Sequence, residues 1–241
     1  MSVIQVRKER ERAAREELIL DHAQQMLLRD GFQNLNLDAL AESVEYSKGT
    51  LYLHFKTKED IALAVATRAQ RERANFFERA AAFRGRSREK VRALGFACCH
   101  FAHSYPDYYS VEMMLKSASF WEKADETRQH QHAMQASRCF RVMHKLVTDG
   151  FQSGDLPPSK FAAERIVFAI ASTAIGSHIM GRNSHALLMT GIDDPFKPLC
   201  DNVDILLDGL GWKPLAHEWD YEAVDKRIKK EIFPEATWLK S

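Results

Sequence analysis

The most informative stretch of the chain is Ser47-Lys48-Gly49-Thr50-Leu51-Tyr52-Leu53-His54-Phe55. Ser47 is a good N-cap, which predicts that a helix begins at the following residue. Leu51 and Phe55 are four residues apart, so the pattern predicts that both point into a core. Gly49 is a poor helix former that costs about 1 kcal/mol relative to alanine, and its bare backbone suits the close approach of another molecule. The first turn of this helix is therefore predicted to be an exposed contact surface.

A second short helix is predicted immediately upstream, with Asn36 as its N-cap. Its apolar residues recur at the spacing of one helix face, at Leu37, Leu40, Ala41 and Val44. Downstream, Thr57 is predicted to cap a longer helix with Glu59 and Asp60 in its first turn, where acidic side chains suit the helix dipole. Two short helices joined by a tight turn are the sequence form of a helix-turn-helix, which places a helix N-terminus against base edges in the major groove. The pattern therefore predicts sequence-specific DNA binding.

The region from about residue 15 to residue 61 resembles the N-terminal domain of the TetR (tetracycline repressor-like) family of transcriptional regulators. The resemblance is carried by Gly31-Phe32, Leu40-Ala41, Ser47-Lys48-Gly49-Thr50-Leu51-Tyr52, His54-Phe55 and Lys58-Glu59. It implies base contacts from Thr50, Tyr46 and Leu53. It implies contacts to backbone phosphates from Ser47, Lys48, Tyr52, His54 and Lys58. The full set predicted to contact DNA is Asn36, Tyr46, Ser47, Lys48, Gly49, Thr50, Tyr52, Leu53, His54 and Lys58.

One position departs from that family pattern. The turn often carries a glycine where this chain has Glu45, and glutamate is less suited to a left-handed backbone conformation. Tyr52 and His54 also fit an ordinary helix surface when each is taken singly. The spacing of the whole set is what favours DNA binding, because packing alone does not demand Ser-Lys-Gly-Thr at an exposed helix start.

Composition limits the kind of DNA binding that is expected. The 241 residues are enough for one large domain or two small ones, and 34 Lys and Arg balance 33 Asp and Glu to a net charge of +1. This excludes a globally basic nucleic-acid coat, whereas site-specific binding needs only a local basic face. Before the first helix that face consists of Arg7, Lys8, Arg10, Arg12 and Arg15. Glutamates are interleaved with them, so a DNA-touching arm and a solvated helical extension both remain open.

The chain is expected to be a reduced cytoplasmic protein. Its N-terminus is charged and lacks the apolar segment of a secretory signal, and no run approaches the ~20 apolar residues of a membrane span. The chain has four cysteines, of which Cys98 and Cys99 are adjacent, and these do not form a disulfide scaffold.

Helical periodicity runs through the whole chain and no convincing strand pattern is present. We therefore predict an all-α fold of about nine or ten helices. Residues 1–62 are predicted to form a three-helix DNA-binding domain, and residues 63–241 a larger helical domain for ligand binding and dimerisation. An additional helix over about residues 220–232 is predicted to pack back on the body of the protein.

Two helices of the C-terminal domain suggest self-assembly. The helix from residue 160 to 180 is apolar around most of its circumference, and the last large helix carries a clean apolar stripe. In the TetR family the equivalent helices pair with their twofold mates, which implies a homodimer and a palindromic operator. The predicted interface residues are Ile166, Ile170, Ala174, Val203, Leu206 and Leu210. The alternative is that both helices belong to the core of a monomer.

Aromatic and methionine side chains are dense in the middle helices. The resemblance implies a ligand cavity there, and such a lining suits a small apolar or amphipathic effector. The residues predicted to line it are Phe101, Tyr105, Tyr108, Met113, Phe120, Trp121, Phe140, Met143 and Phe168. The alternative for each of them is ordinary core packing.

The alternatives to this interpretation are a metal-sensing regulator, a redox-sensing regulator and an enzyme. Cys99 and His103 lie four residues apart beside Cys98, a spacing compatible with a metal site. A thiol-based redox sensor is disfavoured because all four cysteines lie in apolar sequence contexts. No phosphate-binding glycine loop, nucleophile elbow or paired-acid arrangement is legible, so an enzyme is not expected and no cofactor or metal is assigned.

The sequence therefore predicts a dimeric, ligand-responsive DNA-binding regulator, most simply a repressor. The resemblance implies that effector binding among the central helices shifts the long helix beginning near Lys58 and changes the spacing of the two recognition helices.

Overall fold

The computed structural model describes residues 2–114, 118–182, 189, 191 and 196–237 of the chain. Within those ranges the chain is helical and contains no strand, which confirms the all-α prediction. The helices are α1 (Val3–Asp30), α2 (Leu37–Ser43), α3 (Lys48–His54), α4 (Lys58–Ala81), α5 (Ser87–Ser104), α6 (Pro106–Met114), α7 (Ala118–Trp121), α8 (Glu126–Ser153), α9 (Ala163–Arg182), α10 (Phe196–Gly209) and α11 (Tyr221–Glu231). No helix in the described ranges is long and apolar enough to cross a membrane.

Tertiary contacts divide the chain into two compact units. The first consists of Met1–Arg71 and Tyr105–Ala136, and the second of Glu72–Ser104 and Ser137–Ser241. Helices α4 and α8 each contribute residues to both units. The first unit thus includes α6, α7 and the start of α8 in addition to the three-helix domain predicted over residues 1–62.

One apolar core holds the first unit together. Its members include Ile19, Ala23, Leu27, Leu40, Leu51, Phe55, Ile61, Val111 and Phe120. In α1 these residues recur every four positions, so one stripe of that helix is buried while its N-terminal part is mostly exposed. The basic residues between Arg7 and Arg15 therefore lie on a solvated extension of α1.

The second unit contains a close approach between α8 and the segment after α10. Trp212 is fully buried, and its Nε1 donates a hydrogen bond to Ser87 Oγ at 2.8 Å. A Cβ added at Gly150 of α8 would lie 2.8 Å from the Trp212 ring. Because real Cβ atoms do not approach other atoms so closely, the indole requires glycine at this position of the helix.

A buried arginine ties α5 to α10 in the same unit. The Arg88 side chain is 1% exposed, and its Nη2 donates to Asp204 Oδ1 at 3.1 Å. Its Nη1 donates to Asp208 Oδ1 and, at 2.7 Å, to the carbonyl of Trp212. Burial alone would raise the pKa of Asp208, but the hydrogen bond from Arg88 brings that pKa below its ordinary value.

The helix predicted over residues 220–232 is confirmed as α11, which follows a short 3₁₀ turn (Ala216–Glu218). Asp220 caps α11, because its Oδ1 accepts a hydrogen bond from the Ala223 amide at 2.9 Å. Just after the helix, the fully buried Phe233 stacks on Phe96 and Phe76 with ring centroids 5.5 and 5.8 Å away. The C-terminal segment is thus packed into the second unit, as predicted.

Candidate nucleic-acid interface and effector cavity

The first turn of α3 is exposed and locally capped. Ser47 Oγ accepts a hydrogen bond from the Thr50 amide at 3.1 Å and lies 2.9 Å from Thr50 Oγ1. A Cβ at Gly49 would meet only Ser47 Oγ, at 3.8 Å, which is ordinary van der Waals contact. Nothing in the described part of the protein therefore requires glycine at position 49.

The turn between α2 and α3 accepts a glutamate. Glu45 has φ +57°, in the left-handed region that favours glycine. The following amide, that of Tyr46, still donates to the carbonyl of Ala41 at 2.9 Å. The helix-turn-helix is thus complete, with its strain confined to one exposed residue.

Two side chains of α3 point outward beyond its first turn. Leu53 is 77% exposed and Tyr52 about half exposed, while Leu51 and Phe55 are buried in the first unit as predicted. Lys48, also exposed, donates to Asp38 Oδ2 at 2.6 Å, and this hydrogen bond raises the pKa of Lys48. Asn36 caps α2, since its Oδ1 accepts hydrogen bonds from the amides of Asp38 and Ala39.

His54 and Lys58 are engaged within the first unit. The His54 side chain is 5% exposed, with Nδ1 3.5 Å from Glu16 Oε2. Lys58 Nζ donates to the carbonyl of Gln33 at 3.0 Å and lies 4.8 Å from the centre of the Phe32 ring. A cation at the N-terminus of α4 therefore has carbonyl partners in the loop after α1, without needing a phosphate.

Sequence reasoning did not identify Arg128, which supports the C-terminal end of α3. Its Nη2 donates to the carbonyl of His54 at 3.0 Å and its Nη1 to Glu16 Oε1 at 3.0 Å. The guanidinium also lies 4.3 Å from the centre of the Phe55 ring. These partners lie far from Arg128 in the sequence, so no local pattern indicates the contact.

Asp60 stabilises the start of α4 through several hydrogen bonds. Its Oδ2 accepts hydrogen bonds from the amides of Lys56 at 3.2 Å and Thr57 at 3.1 Å, and its Oδ1 from the amide of Asp125 at 2.7 Å. Thr57 Oγ1 in turn accepts from the Asp60 amide at 3.1 Å. This reciprocal pair is a capping box, a signal that the Thr57–Asp60 spacing does contain.

The second unit encloses an apolar cavity of about 60 Å³. Its wall consists of Phe77, Val91, Arg92, Leu94, Gly95, Cys98, Met143, Ile170, Ala174, Leu199, Cys200, Val203, Asp204 and Leu207. Helices α5, α9 and α10 contribute most of these residues. The cavity suits a small apolar molecule, because few polar groups face it.

The charged part of the wall is an ion-pair network. Arg92 Nε and Nη2 donate to the two carboxylate oxygens of Asp225, both at 2.7 Å, and Nη1 donates to Asp204 Oδ2 at 2.6 Å. Burial by itself lowers the pKa of Arg92, but Asp225 and Asp204 raise it above the ordinary value, so the guanidinium stays charged. The C-terminal helix α11 thus fixes one wall residue through Asp225.

The side chains predicted to line an effector pocket lie in several places. Met143 is on the cavity wall, and Phe101 is buried in the second unit against Phe76. Phe140 and Phe168 are exposed. The residues Tyr105, Tyr108, Phe120 and Trp121 belong to the first unit, and the side chain of Met113 lies outside the described residues.

The six predicted interface residues divide into two groups. Ile166 and Ile170 are buried within the chain, and Ile170, Ala174 and Val203 line the cavity. Leu206 and Leu210 keep partial exposure. Among the described side chains of α9 and α10, the large apolar ones that are exposed are Phe168, Ile179, Met180 and Ile205, with Phe168 at 71%.

The sequence suggested that all four cysteines lie in apolar surroundings, but Cys200 does not. Cys200 lies beside Arg92; a hydrogen bond with Cys99 and, to a smaller extent, the Arg92 charge lower the pKa of the Cys200 thiol. Cys98 Sγ is 3.5 Å from Nε2 of His178, a buried histidine whose pKa burial lowers to about 4. Among the described residues no group of three His, Cys, Asp or Glu side chains could hold a metal ion.

Residues 19–65 match the family described as bacterial regulatory proteins, tetR family. The fold is similar to that of PfmR, a TetR-family transcriptional regulator from Thermus thermophilus, with 16% identity, TM-score 0.57, and coverage of 80% of this chain and 98% of that one. It is also similar to a gamma-butyrolactone receptor (ArpA-like protein), with 17% identity, TM-score 0.61, and coverage of 92% and 99%. A third similar structure is FadR from Bacillus subtilis in complex with stearoyl-CoA, with 16% identity, TM-score 0.61, and coverage of 80% and 98%. No curated protein matches the chain.

Proposed function

Because the chain belongs to the TetR family of DNA-binding transcriptional regulators, which are not enzymes, we propose that it is a ligand-responsive repressor. In this proposal a homodimer binds a palindromic operator and is released when a small apolar or amphipathic effector enters the C-terminal unit. Its partner is DNA, so it acts in the cytoplasm, where bacterial DNA lies. The observation that carries the proposal is the capped, exposed first turn of α3.

The DNA contacts are proposed to centre on that turn. Lys48, Gly49 and Thr50 are presented together, and Tyr52 and Leu53 extend the exposed surface. Thr50 and Leu53 are assigned to base edges, while Ser47, Lys48 and Tyr52 are assigned to backbone phosphates. The bond from Arg128 to the His54 carbonyl supports these roles, because it fixes the far end of the helix.

The dimer is proposed to form through α9 and α10. Side chains that are already buried in one chain have little surface left to give a partner, so the interface must use exposed ones. Phe168, Ile179 and Ile205 are exposed apolar residues on these two helices, and Leu206 and Leu210 add partly exposed surface. A twofold pair of recognition helices then matches two half-sites of a palindrome.

The effector is proposed to bind in the cavity of the second unit. The relatives named above include a receptor for a gamma-butyrolactone and a FadR bound to stearoyl-CoA. A cavity of about 60 Å³ is far smaller than an acyl-CoA, which favours a compact ligand with Arg92 or Asp204 at a polar end. Phe77 on the wall belongs to α4, and we propose that this helix carries the response toward its start at Lys58.

The test is selection of operator sites from random and genomic DNA with the purified protein, followed by binding titrations on the enriched site. The expected result is an inverted repeat bound by two chains, measured by light scattering of the complex. Thr50→Ala should relax discrimination at one base pair by about 1–3 kcal/mol, whereas Tyr52→Phe should weaken binding to every sequence alike. Selection that enriches no sequence would contradict the proposal.

A further inference from the structure

The exposed N-terminal part of α1 carries a row of basic side chains on one face. Lys8, Arg12 and Arg15 are spaced by four and three residues, which places them on the same side of a helix. Continued along α1, the same spacing reaches Ile19 and Ala23, which are buried in the core of the first unit. The basic row is therefore an extension of the face of α1 that packs into this core.

A groove in the first unit joins this face of α1 to α3. Arg12 lines the groove together with Tyr52, Leu53 and Lys56. The groove is open to solvent, has a volume of about 420 Å³, and its wall is mainly polar. A molecule that rests on Tyr52 and Leu53 is thus within reach of Arg12.

The acidic side chains that line the groove are engaged within the first unit. Glu16 Oε1 accepts a hydrogen bond from Arg128 at 3.0 Å, and Asp125 Oδ1 accepts one from the Thr127 amide at 2.9 Å. Asp60 accepts three hydrogen bonds from backbone amides, as described above. These carboxylates therefore have partners other than Arg12.

Two members of the basic row have no partner in the described part of the chain. Arg7 pairs with Glu11 at 2.8 Å, and Arg15 Nε donates to the carbonyl of Glu11 at 3.3 Å. Lys8 and Arg12 are exposed and make no hydrogen bond or ion pair with any residue that the structure describes. Their charges are available to an anionic partner outside the chain.

We propose that Lys8 and Arg12 bind phosphates of the DNA backbone beside the half-site that α3 reads, so that the extension of α1 is a further DNA contact of each chain. This inference rests on the proposed function, because it takes α3 to lie against DNA. Each strand of a duplex carries one negative charge for about every 3.4 Å of its axis. Lys8 and Arg12 are about 6 Å apart along the helix axis, so each reaches a phosphate of its own.

The extension is preorganised for this contact. Helix α1 runs without a break from Val3 to Asp30, and Ser2 caps its start by accepting a hydrogen bond from the Gln5 amide at 3.3 Å. A segment that is already helical loses less conformational freedom on binding than a disordered tail does. We therefore expect the contact to fall on fixed phosphates at the edge of the half-site.

The test measures the affinity of the full-length protein for DNA at several salt concentrations, using the enriched operator and a duplex of random sequence. Arg12→Ala should weaken binding to both duplexes about tenfold at about 0.1 M salt. The slope of log affinity against log salt concentration should fall in magnitude by about 1 per bound chain. Lys8→Ala should behave in the same way, whereas Arg12→Lys keeps the charge and should keep the slope.

Arg10→Ala is the matched control. It removes the same charge from the same exposed stretch, and Arg10 also lacks an ion pair with any described residue. Arg10 lies about 200° around the helix from Arg12, on the side away from the basic row. Its affinity should stay within about twofold of wild type, because a charge that touches no phosphate is screened by salt. Equal losses in Arg10→Ala and Arg12→Ala would show a general charge effect and overturn the proposal.

Phosphate ethylation interference locates the contact on the operator. Wild type should be sensitive at phosphates outside the base pair at which Thr50→Ala relaxes discrimination, and Arg12→Ala should lose that sensitivity. If Arg12→Ala instead loses a preference for A·T pairs, Arg12 reads the minor groove and the assignment to phosphates is wrong. Circular dichroism checks that each variant is folded.

The two duplexes distinguish failure of this inference from failure of the proposed function. Binding that depends on Arg12 but prefers no sequence would refute the operator and leave the phosphate contact standing. Selective binding that is unchanged in Lys8→Ala and Arg12→Ala would refute only the contact from α1. A protein that binds neither duplex would refute both.

Discussion

Helix α3, which we propose reads DNA, and the apolar cavity of the second unit are held in place by different kinds of interaction. The start of α3 depends on a hydrogen bond between residues three apart, Ser47 and Thr50. The cavity wall depends on ion pairs between residues more than a hundred positions apart, such as Arg92 with Asp204 and Asp225. A surface that must fit a partner can be built from local signals, whereas a cavity must be assembled from distant parts of the chain.

The largest effect is expected from breaking the long-range network at its most buried member. Arg88→Met removes a cation shared by Asp204 and Asp208 and leaves their charges less compensated. Loss of one partner of a buried ion pair costs about 3–5 kcal/mol, and the partial exposure of both aspartates places the expectation near the lower end, at about 3 kcal/mol. Urea unfolding followed by circular dichroism measures the loss. The exposed Lys226→Met should stay within about 0.5 kcal/mol of wild type, and an equal effect of both changes would contradict the expectation.

The second unit should also lose stability as the pH falls. Burial lowers the folded-state pKa of His178 to about 4, so the unfolded chain binds the proton first as the pH falls. The second unit should therefore lose stability between about pH 7 and pH 4, by about 2–3 kcal/mol from this residue. The measurement is the free energy of unfolding against pH for wild type and His178→Gln. Carboxylates titrate in both proteins, so the difference between the curves isolates the histidine; parallel curves would refute the assignment.

Asp60 tests the same comparison within the first unit, because it makes a long-range hydrogen bond there, as Arg128 does. Asp60→Ala loses the amide bonds from Lys56, Thr57 and Asp125 and should destabilise the first unit by about 2 kcal/mol. Asp60→Asn keeps an acceptor oxygen and should lose about half as much. Thermal unfolding measures both changes, with the exposed Glu42→Ala as the control. A loss for Asp60→Ala no larger than that of the control would show that the connection to Asp125 is dispensable.

A substitution at Gly49 should have opposite effects on protein stability and on DNA affinity. Gly49→Ala should stabilise α3 by about 0.5–1 kcal/mol, because its Cβ meets no close neighbour in the described structure. DNA affinity should nevertheless fall about tenfold, since the methyl group would occupy space proposed for a base or phosphate. Fluorescence anisotropy measures the affinity and urea unfolding the stability. Gly95→Ala in α5 is the control for stability and should gain a similar amount; because Gly95 lies on the cavity wall, its affinity is measured without effector and should then not fall. Unchanged affinity in Gly49→Ala would remove Gly49 from the interface.

The smallest effect on stability is expected in the turn between α2 and α3. Glu45→Gly relieves a left-handed glutamate and should stabilise the protein by about 0.5 kcal/mol, because the gain is partly offset by the greater freedom of glycine in the unfolded chain. Glu45→Val, which is branched at Cβ, should instead cost about 1 kcal/mol or more. Calorimetric melting temperatures compare the two variants. A more stable valine variant would mean that the turn changes conformation.

The same contrast explains what the sequence could predict. The caps at Asn36, Ser47 and Thr57 are local signals, and each forms in the structure where the spacing places it. The polar wall of the cavity was not predicted, because no local pattern indicates that Arg92 meets Asp225. Aromatic density was a poor guide to the cavity, since an aromatic stripe is equally a core stripe; Phe120 packs in the first unit and Phe168 is exposed. The family resemblance covered the local motif and gave no means of locating wall residues.

The contact between Gly150 and Trp212 also limits which substitutions these two positions can accept during evolution. Any side chain at position 150 collides with the indole, so the glycine can be replaced only after the tryptophan has become smaller. A smaller residue at position 212 alone leaves a hole and removes the hydrogen bond to Ser87. The two positions are therefore expected to change together among descendants of this chain, and lineages that have lost the C-terminal segment should have been released to place larger residues at position 150.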